Sequence, residues 1–257
     1  MLSKKDLIKE LGKNILVEPY KSENLKENSY NLTISKYAWA SGKSIYKEDT
    51  KKIVLPPHEV AFVYSEEVIH VGNNLGGAVH SKVGIVANGI GHIGTMFGPN
   101  YKGRFLINLH NITDNEIELN VGDTFCSLTF DYLKTKWKKG NKTSSGHVDK
   151  LNKWNFPVVD FPDYEKDLTD DWVKDWDKVK AKMFTNANYI NDVDIKRKKA
   201  KNLVIIIGLW LLALILTGII VVGIFKENKG INWEQIGRIV LSFVIPAITY
   251  ICGRLKE

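Results

Sequence analysis

One stretch of the sequence, residues 82–108, gathers side chains that could bind a flat ligand carrying negative charge. Lys82 can meet a phosphate as a point charge, and the ring of Tyr101 can stack against a base or wall its sugar. Asn100 and Asn108 can hydrogen bond with the edge of a base. Backbone groups can approach a ligand closely at glycines, and the stretch contains Gly89, Gly91, Gly94, Gly98 and Gly103. Each residue could serve ordinary turn or strand chemistry instead, but together they favour a pocket.

The sequence shows no recognisable metal site. His80, His92 and His110 lie in or near this stretch, but none belongs to a Cys/His/carboxylate grouping with metal-ligand spacing. A lone strand histidine is usually a packed or surface residue. Cys126 and Cys252 are not expected to pair, because one lies in a strand pattern and the other in an apolar C-terminal stretch, which fits a reducing compartment. We expect no metal and no cofactor, the one candidate being Mg²⁺ accompanying a bound nucleotide.

The elements that must position these side chains are mostly short strands. Residues 2–12 predict a short helix, because Ser3 can cap its start, an apolar face follows, and Gly12 ends it. After this helix the apolar period changes to two, with turn signals between the runs. The predicted strands cover residues 29–35, 59–65, 75–81, 103–111, 116–120 and 124–133. Many short, evenly punctuated strands indicate an all-β barrel or sandwich.

Two segments follow the strands. Residues 135–150 are polar and rich in Gly, Ser and Thr, which predicts either a mobile lid or a plain surface loop. From Thr169 the apolar period is helical again. An apolar stripe at helical spacing comprises Leu168, Trp172, Trp176, Val179 and Met183. The stripe either packs on the β domain or pairs with copies of itself.

The C-terminal part of the chain is strongly apolar. Residues Leu203 to Phe225 contain no charge and would span a hydrocarbon core about 30 Å thick as a helix. A second apolar stretch runs from about Trp233 to Cys252; it tolerates Pro246 as a kink and Arg238 as a snorkelling side chain. The pattern predicts two transmembrane helices joined by a tight hairpin.

Net charge is concentrated at the membrane end of the sequence. From Lys196 onward there are 10 Lys+Arg and 3 Asp+Glu, so this part carries +7, which equals the net charge of the whole chain. The basic run KRKKAK, residues 196–201, adjoins the first apolar stretch and marks its cytoplasmic side, which places both termini in the cytoplasm. A phospholipid surface explains this run better than nucleic acid does.

The order of the segments resembles that of dCTP deaminases in the dUTPase superfamily. The helix MLSKKDLIKEL precedes ENSYNLTIS and VLPPHEVAFVYSEEVIHV, much as that family has a short helix, a strand, and a proline-marked turn ahead of a strand. GGAVHSKVGIVANGIGHIGTMFGPNYKGRFLINLHN resembles the family's core block, and LNVGDTFCSLTFDYL resembles the strand after it. The resemblance covers residues 1 to about 135 and implies a mainly-β, dUTPase-like distorted barrel. We expect this domain at 1–160, a helical linker at 161–201 and the transmembrane hairpin at 202–257.

The resemblance also implies where phosphate chemistry should occur, and there the sequence departs from the family. A Lys/Arg-Ser-Ser segment in dCTP deaminases holds phosphates and the attacking water. The matching residues here are Lys82, Val83 and Gly84, so the cation is kept and both hydroxyls are lost. A following arginine of the family is replaced by Ala87.

The groups that would transfer protons are replaced as well. Tyr101 and Gly103 match the dUTPase motif IDxxYxG, but Gly98 stands where its water-activating aspartate belongs. Asn108 stands where dCTP deaminases have a general acid/base glutamate. Glycine has no side chain, and an amide cannot accept a proton near neutral pH. The binding candidates that survive are Lys82, Gly94, Asn100, Tyr101, Gly103 and Asn108.

These substitutions lead to one functional prediction and two alternatives. The prediction is a membrane-anchored, catalytically inactive nucleotide-binding sensor or effector, with bacterial nucleotide-signalling and antiphage effectors as architectural analogues. The first alternative is a tethered, active dCTP deaminase or dUTP pyrophosphatase, whose base would come from Glu66, Glu67 or residues 135–150. The second is a structural membrane module without a ligand. The family's barrels assemble as trimers with sites between subunits, so we also expect a homotrimer.

Overall fold

The structure is a computed structural model that describes residues 1–92, 94–137, 168, 170–225, 235, 238, 242, 246 and 249. The chain divides into two compact units, Met1–Ile190 and Asn191–Glu257, which are treated separately below. Residues 138–150, which hold most of the predicted lid or loop, lie outside the described residues, as does most of the second predicted span. The three predicted domain bounds stay a prediction.

The first unit opens with a short capped helix. Helix α1, Lys4–Glu10, begins where Ser3 Oγ accepts a hydrogen bond from the Asp6 N–H, as the sequence predicts. Gly12 follows it with a φ of +75°, a left-handed conformation that favours glycine. The strand after it, Ile15–Glu18 (β1), was not predicted.

The core of this unit is one curled sheet of nine strands. Its main path runs β8-β10-β6-β2-β12-β7-β9, with β1 paired to β6 and β3 paired to β2. The strands of this path are Ile90–Gly91 (β8), Lys102–Asn111 (β10), Val60–Val71 (β6), Tyr30–Ala40 (β2), Thr124–Tyr132 (β12), Leu75–Ser81 (β7) and Met96–Phe97 (β9), and the remaining strand is Lys43–Ser44 (β3). The prediction of a mainly-β fold is confirmed, and the two ends of the path, β8 and β9, are consecutive in sequence.

A second, smaller sheet and a short helix complete the β region. Three strands pair in the order β11-β5-β4. Their bounds are Ile117–Asn120 (β11), Lys52–Leu55 (β5) and Tyr46–Lys47 (β4). Helix α2, Val83–Ala87, connects β7 to β8. The sequence analysis identified neither β5 nor α2.

The helical segment that follows the strands packs on the β domain. Three short helices follow one another: Asp171–Lys174 (α3), Trp176–Thr185 (α4) and Ala187–Tyr189 (α5). Their buried side chains are Val173, Val179, Met183 and Tyr189, while Leu168 joins a cluster with Tyr37, Trp39, Phe62 and Tyr64. Of the two alternatives for the apolar stripe, the structure shows packing on the β domain.

The predicted stripe was wrong in one respect. Trp172 and Trp176 are only partly buried, and Val173 is fully buried in place of Trp172. The reason is a helix break: Asp175 leaves helical geometry, and its side chain accepts hydrogen bonds from the Asp177 and Lys178 N–H groups, which starts α4 afresh. The break rotates the apolar face between α3 and α4.

The second unit contains one long helix. After a single π-helical stretch, Ile190–Asp194, helix α6 runs over Ile195–Phe225. In the described part of the chain, no helix reaches the length and apolarity needed to cross a membrane. The two predicted spans therefore stay a prediction.

Candidate functional site

Lys82 lies at the end of β7, immediately before α2. Its ammonium group contacts Thr124 Oγ1 on β12. Burial, and the nearby positive charge of Lys26, lower the pKa of Lys82 from its ordinary value. Lys82 therefore keeps a position in which an added negative charge would be favourable.

Helix α2 presents the residues that replace the family's hydroxyls. Val83 is 86% exposed, and no atom lies within 4 Å of a methyl group built on Gly84. Ala87 at the end of the helix is exposed as well. Both positions are therefore open and carry no hydroxyl in this chain.

Tyr101 belongs to an aromatic cluster. Its ring stacks on Phe105 with centroids 4.4 Å apart and meets Phe97 at 6.0 Å. Its hydroxyl donates to the Arg104 carbonyl oxygen at 2.7 Å, and burial raises the pKa of that hydroxyl. Since Phe105 covers one face of the ring, at most one face remains for stacking against a base.

The backbone near the start of β10 adopts left-handed conformations at two positions. Asn100 adopts a φ of +60° and Gly103 a φ of +126°, both in the region that favours glycine. The Asn100 N–H donates to the Gly72 carbonyl oxygen at 3.3 Å. At Gly94, a methyl group would lie 2.8 Å from the Val79 carbonyl oxygen, so glycine allows this close approach.

The candidate residues do not form one pocket within a single chain. Gly77 on β7 pairs with Phe97 on β9, which places Gly98 beside Gly76 near the start of β7. Lys82 follows the last residue of the same strand. Gly76 and Lys82 are six residues apart along the strand, which corresponds to a distance of about 20 Å. Lys82 and the segment around Gly98 thus lie at opposite ends of β7.

Asn108 occupies an exposed position on β10, opposite Phe62 of β6. Because side chains two apart on a strand share a face, Asn108 and His110 point to the same side of β10. His110 in turn pairs with Gly91 of β8. Asn108 therefore lies towards the end of β10 that meets β8.

Glu66 and Glu67, the acids named for an active enzyme, differ in accessibility. Glu66 is partly exposed and forms an ion pair with Lys21 at 2.7 Å. Glu67 is fully buried, and burial raises the pKa of its carboxyl to about 7. A ligand cannot reach a fully buried carboxyl, so the structure does not favour Glu67 as a base for substrate.

One hydroxyl lies between these two carboxyl groups. Thr33 Oγ1 is 2.8 Å from Glu67 Oε1 and 3.0 Å from Glu66 Oε2. The Thr33 N–H also donates to Glu67 Oε2 at 2.9 Å. A hydroxyl has one proton to donate, so both contacts are hydrogen bonds only when one of the two carboxyls carries a proton. The raised pKa of Glu67 and the ion pair between Glu66 and Lys21 favour Glu67 as that group.

The histidines come closer together than the sequence suggested. Ser81 Oγ lies 2.8 Å from His92 Nδ1, and the charges of His110 and His80 both act on His92. His80 also contacts Thr129 Oγ1 at 2.9 Å. Among the described residues, no group of three or more His, Cys, Asp or Glu could hold a metal ion. Sequence spacing missed this grouping, because β7, β10 and the segment between β8 and β9 meet only in the fold.

Comparison with known proteins identifies relatives of the β domain. The model of the dCTP deaminase-like family matches residues 1–133. A dCTP deaminase of Pyrococcus horikoshii is 28% identical over 124 residues, which cover 48% of this chain and 80% of that protein. A dUMP-forming dCTP deaminase of Clostridium botulinum is 33% identical over 67 residues, 26% of this chain and 36% of that protein.

Solved structures match between half and two thirds of the chain. The 2'-deoxycytidine 5'-triphosphate deaminase of Agrobacterium tumefaciens superposes with a TM-score of 0.43 at 13% identity, over 60% of this chain and 51% of that one. A dUTPase from phage phi11 of S. aureus superposes with a TM-score of 0.36 at 14% identity, over 51% of this chain and 99% of that one. Because the family model spans residues 1–133 of 257, more than half of the sequence, the chain belongs to the dCTP deaminase-like family.

Proposed function

We propose that this protein binds a nucleotide through its dCTP deaminase-like domain without converting it. The observation that carries the proposal is the chemistry of two positions. Gly98 and Asn108 stand where the resemblance places the proton-transferring carboxylates, and neither side chain can accept a proton near neutral pH. The binding groups Lys82 and Tyr101 are retained.

A complete site needs two copies of the chain in this proposal. Lys82 and the segment that holds Tyr101 lie at opposite ends of β7, about 20 Å apart. A symmetric trimer would bring Lys82 of one subunit to the Tyr101 loop of the next. Apolar side chains at Val83, Val86 and Met96 are exposed in the single chain, which supports an interface on this side.

The second unit would attach the protein to a lipid surface. Large apolar side chains of α6 are exposed at consecutive positions, so they surround the helix on all sides; they are Leu203, Val204, Ile205, Ile207, Trp210, Leu211, Leu212, Leu214, Ile215, Ile219 and Val222. A helix that is apolar all round needs an apolar partner. The basic run at 196–201 suits anionic headgroups. In this proposal both termini are cytoplasmic and the protein reports ligand state to the membrane, as a signalling or antiphage effector would.

The alternative of an active deaminase has one observation in its favour. His92 is partly buried and held by Ser81 at 2.8 Å, which is the arrangement of an oriented base. The relatives that carry the name dCTP deaminase add to this alternative. A third possibility is a structural membrane module that binds no nucleotide.

Calorimetry and turnover assays on the full chain in detergent separate the three. We expect dCTP or dUTP to bind, with release of neither ammonia nor pyrophosphate. Lys82→Ala should weaken binding, whereas Lys43→Ala, which lies in strand β3, should not. Steady turnover would reject the binding-only proposal, and absence of binding across a nucleotide panel would favour the structural module.

Oligomeric state and lipid attachment have their own measurements. Light scattering in detergent should give the mass of three chains, and a monomer at micromolar concentration would contradict the shared site. Flotation with vesicles should recover the protein, more strongly when the vesicles contain anionic lipid. Recovery that is equal with and without vesicles would reject the lipid proposal.

A further inference from the structure

Strands β8 and β9 are the two ends of the strand path, and His92 directly follows β8. Strand β8 is paired to β10 through His110 and Gly91, whereas β9 is paired to β7. The chain between β8 and β9 must therefore cross from one edge of the sheet to the other. The Val79 N–H donates to the Thr95 carbonyl oxygen at 2.8 Å along this crossing. We call Ser81, His92 and His110 the seam site.

Ser81 fixes the orientation of the His92 ring. Its Oγ lies 2.8 Å from Nδ1 and 3.4 Å from the carbonyl oxygen of His92. The hydroxyl can donate to that carbonyl while accepting from an Nδ1–H. This tautomer leaves Nε2 as the nitrogen through which the ring meets a ligand, and it persists unchanged when Nε2 takes up a proton.

The surroundings of His92 disfavour a positive charge in the ligand-free state. Three effects lower the pKa of His92: burial is the largest, and the charges of His110 on β10 and His80 on β7 follow. Helix α2 adds no charged residue, since it reads Val83–Ala87. The ammonium group of Lys82 is directed to Thr124 on β12. An anion beside the ring would reverse this balance.

We propose that the seam site binds a tetrahedral oxyanion, a phosphate or sulfate group, and takes up a proton on His92 Nε2 as it does so. The proposal deepens the nucleotide-binding function above, on which it rests for the source of the phosphate, although free phosphate has the same chemistry. His110 shares a face of β10 with Asn108, so the oxyanion would lie next to one of the retained binding candidates. The proton comes from solvent, and no bond to the ligand forms or breaks.

Sulfate is the sharpest probe, because it does not titrate between pH 6 and 8. Its dissociation constant for the full chain is measured by calorimetry at pH 6, 7 and 8, with ionic strength held constant. Uptake of one proton makes affinity rise as pH falls, by up to about tenfold per pH unit. The same titrations with dCTP and with deoxycytidine, which has no phosphate, separate the nucleotide from the oxyanion.

Two variants decide whether His92 is responsible. His92→Gln should abolish the pH dependence of sulfate binding, and Ser81→Ala should reduce it without removing the imidazole. His58→Gln is the matched control, since His58 is exposed and pairs with Asp114 at 2.9 Å, and it should keep the full dependence. If His92→Gln does not fold, Ser81→Ala carries the test alone.

The outcomes separate this inference from the proposed function. Sulfate affinity that does not change with pH, or a pH dependence that survives in both seam variants, would overturn the seam site. Binding of dCTP without any pH-linked sulfate binding would leave the proposed function standing and the inference rejected. Sulfate binding linked to pH, with no binding of dCTP, would leave the inference standing and reject the proposed function.

Discussion

Replacing Glu67 by glutamine should stabilise the protein at alkaline pH and change its stability little at acid pH, in both cases compared with the unmodified chain. The carboxyl of Glu67 is fully buried, and its pKa is raised from an ordinary value of 4.5 to about 7. The folded state therefore binds more protons than the unfolded state between these values. The free energy of unfolding accordingly falls as pH rises through this window, by about 3 kcal/mol in total.

The amide is a close replacement for the protonated acid. Its nitrogen can donate to Thr33 Oγ1, and its oxygen can accept from the Thr33 N–H, which now contacts Glu67 Oε2 at 2.9 Å. At pH 5 the variant and the unmodified chain should therefore differ little. At pH 8 the variant should be more stable by about 3 kcal/mol, or about 6–12 °C in Tm.

Urea unfolding followed by tryptophan fluorescence at pH 5, 6, 7 and 8 provides the measurement. Taking the difference between two chains at each pH cancels the contributions of all other titrating groups. Glu118→Gln is the control: Glu118 is exposed and paired with Lys52 at 2.6 Å, so removing its charge should change stability little at any pH. A difference for Glu67→Gln that is the same at pH 5 and pH 8 would refute the assignment of a buried proton.

Three further predictions concern the backbone conformation at Gly12, ligand binding at Val83 and the contribution of His70 to stability in acid. Gly12→Ala should lower the free energy of unfolding by more than the about 1–2 kcal/mol expected for a left-handed residue alone, because a methyl group there would overlap Tyr189 Oη. Gly122→Ala is the control: Gly122 has a φ of +93° and open space around it, so urea unfolding should show only the backbone cost. Val83→Ser should strengthen dCTP binding up to about tenfold in calorimetry if a phosphate reaches α2. The pKa of His70 is lowered to about 4, chiefly by burial. Its neutral form therefore stabilises the fold above pH 6.5, and this contribution, about 3 kcal/mol, is lost as pH falls towards 4. His70→Gln should make the free energy of unfolding depend less on pH in this range.

Local chemistry made much of the β domain predictable. The Ser3 cap and the strand at residues 75–81 depend on neighbours in sequence, and both appear as predicted. Strand β1 was missed because its three apolar residues, ILV, form a run too short to show a period. The Asp175 cap could have been found, since an Asp before a polar turn is a known start signal.

The site was predictable in its parts but not in its arrangement. The types and spacing of Lys82, Gly98, Tyr101 and Asn108 could be compared with the family residue by residue. The separation of Lys82 from Gly98 and Tyr101 along β7 follows from strand pairing between distant segments, which no local pattern specifies. The burial of Glu67 and the meeting of Ser81 with His92 have the same origin.

The last helix of the first unit packs against residues in the N-terminal part of the same unit. Tyr189, the last buried ring of that unit, packs beside Gly12 and meets Tyr20 edge-on at 6.0 Å. The buried side chains of α3, α4 and α5 thus all belong to the first unit, Met1–Ile190. Packing therefore ties an N-terminal segment of the first unit to its last helix, so the chain leaves this unit close to where that segment lies.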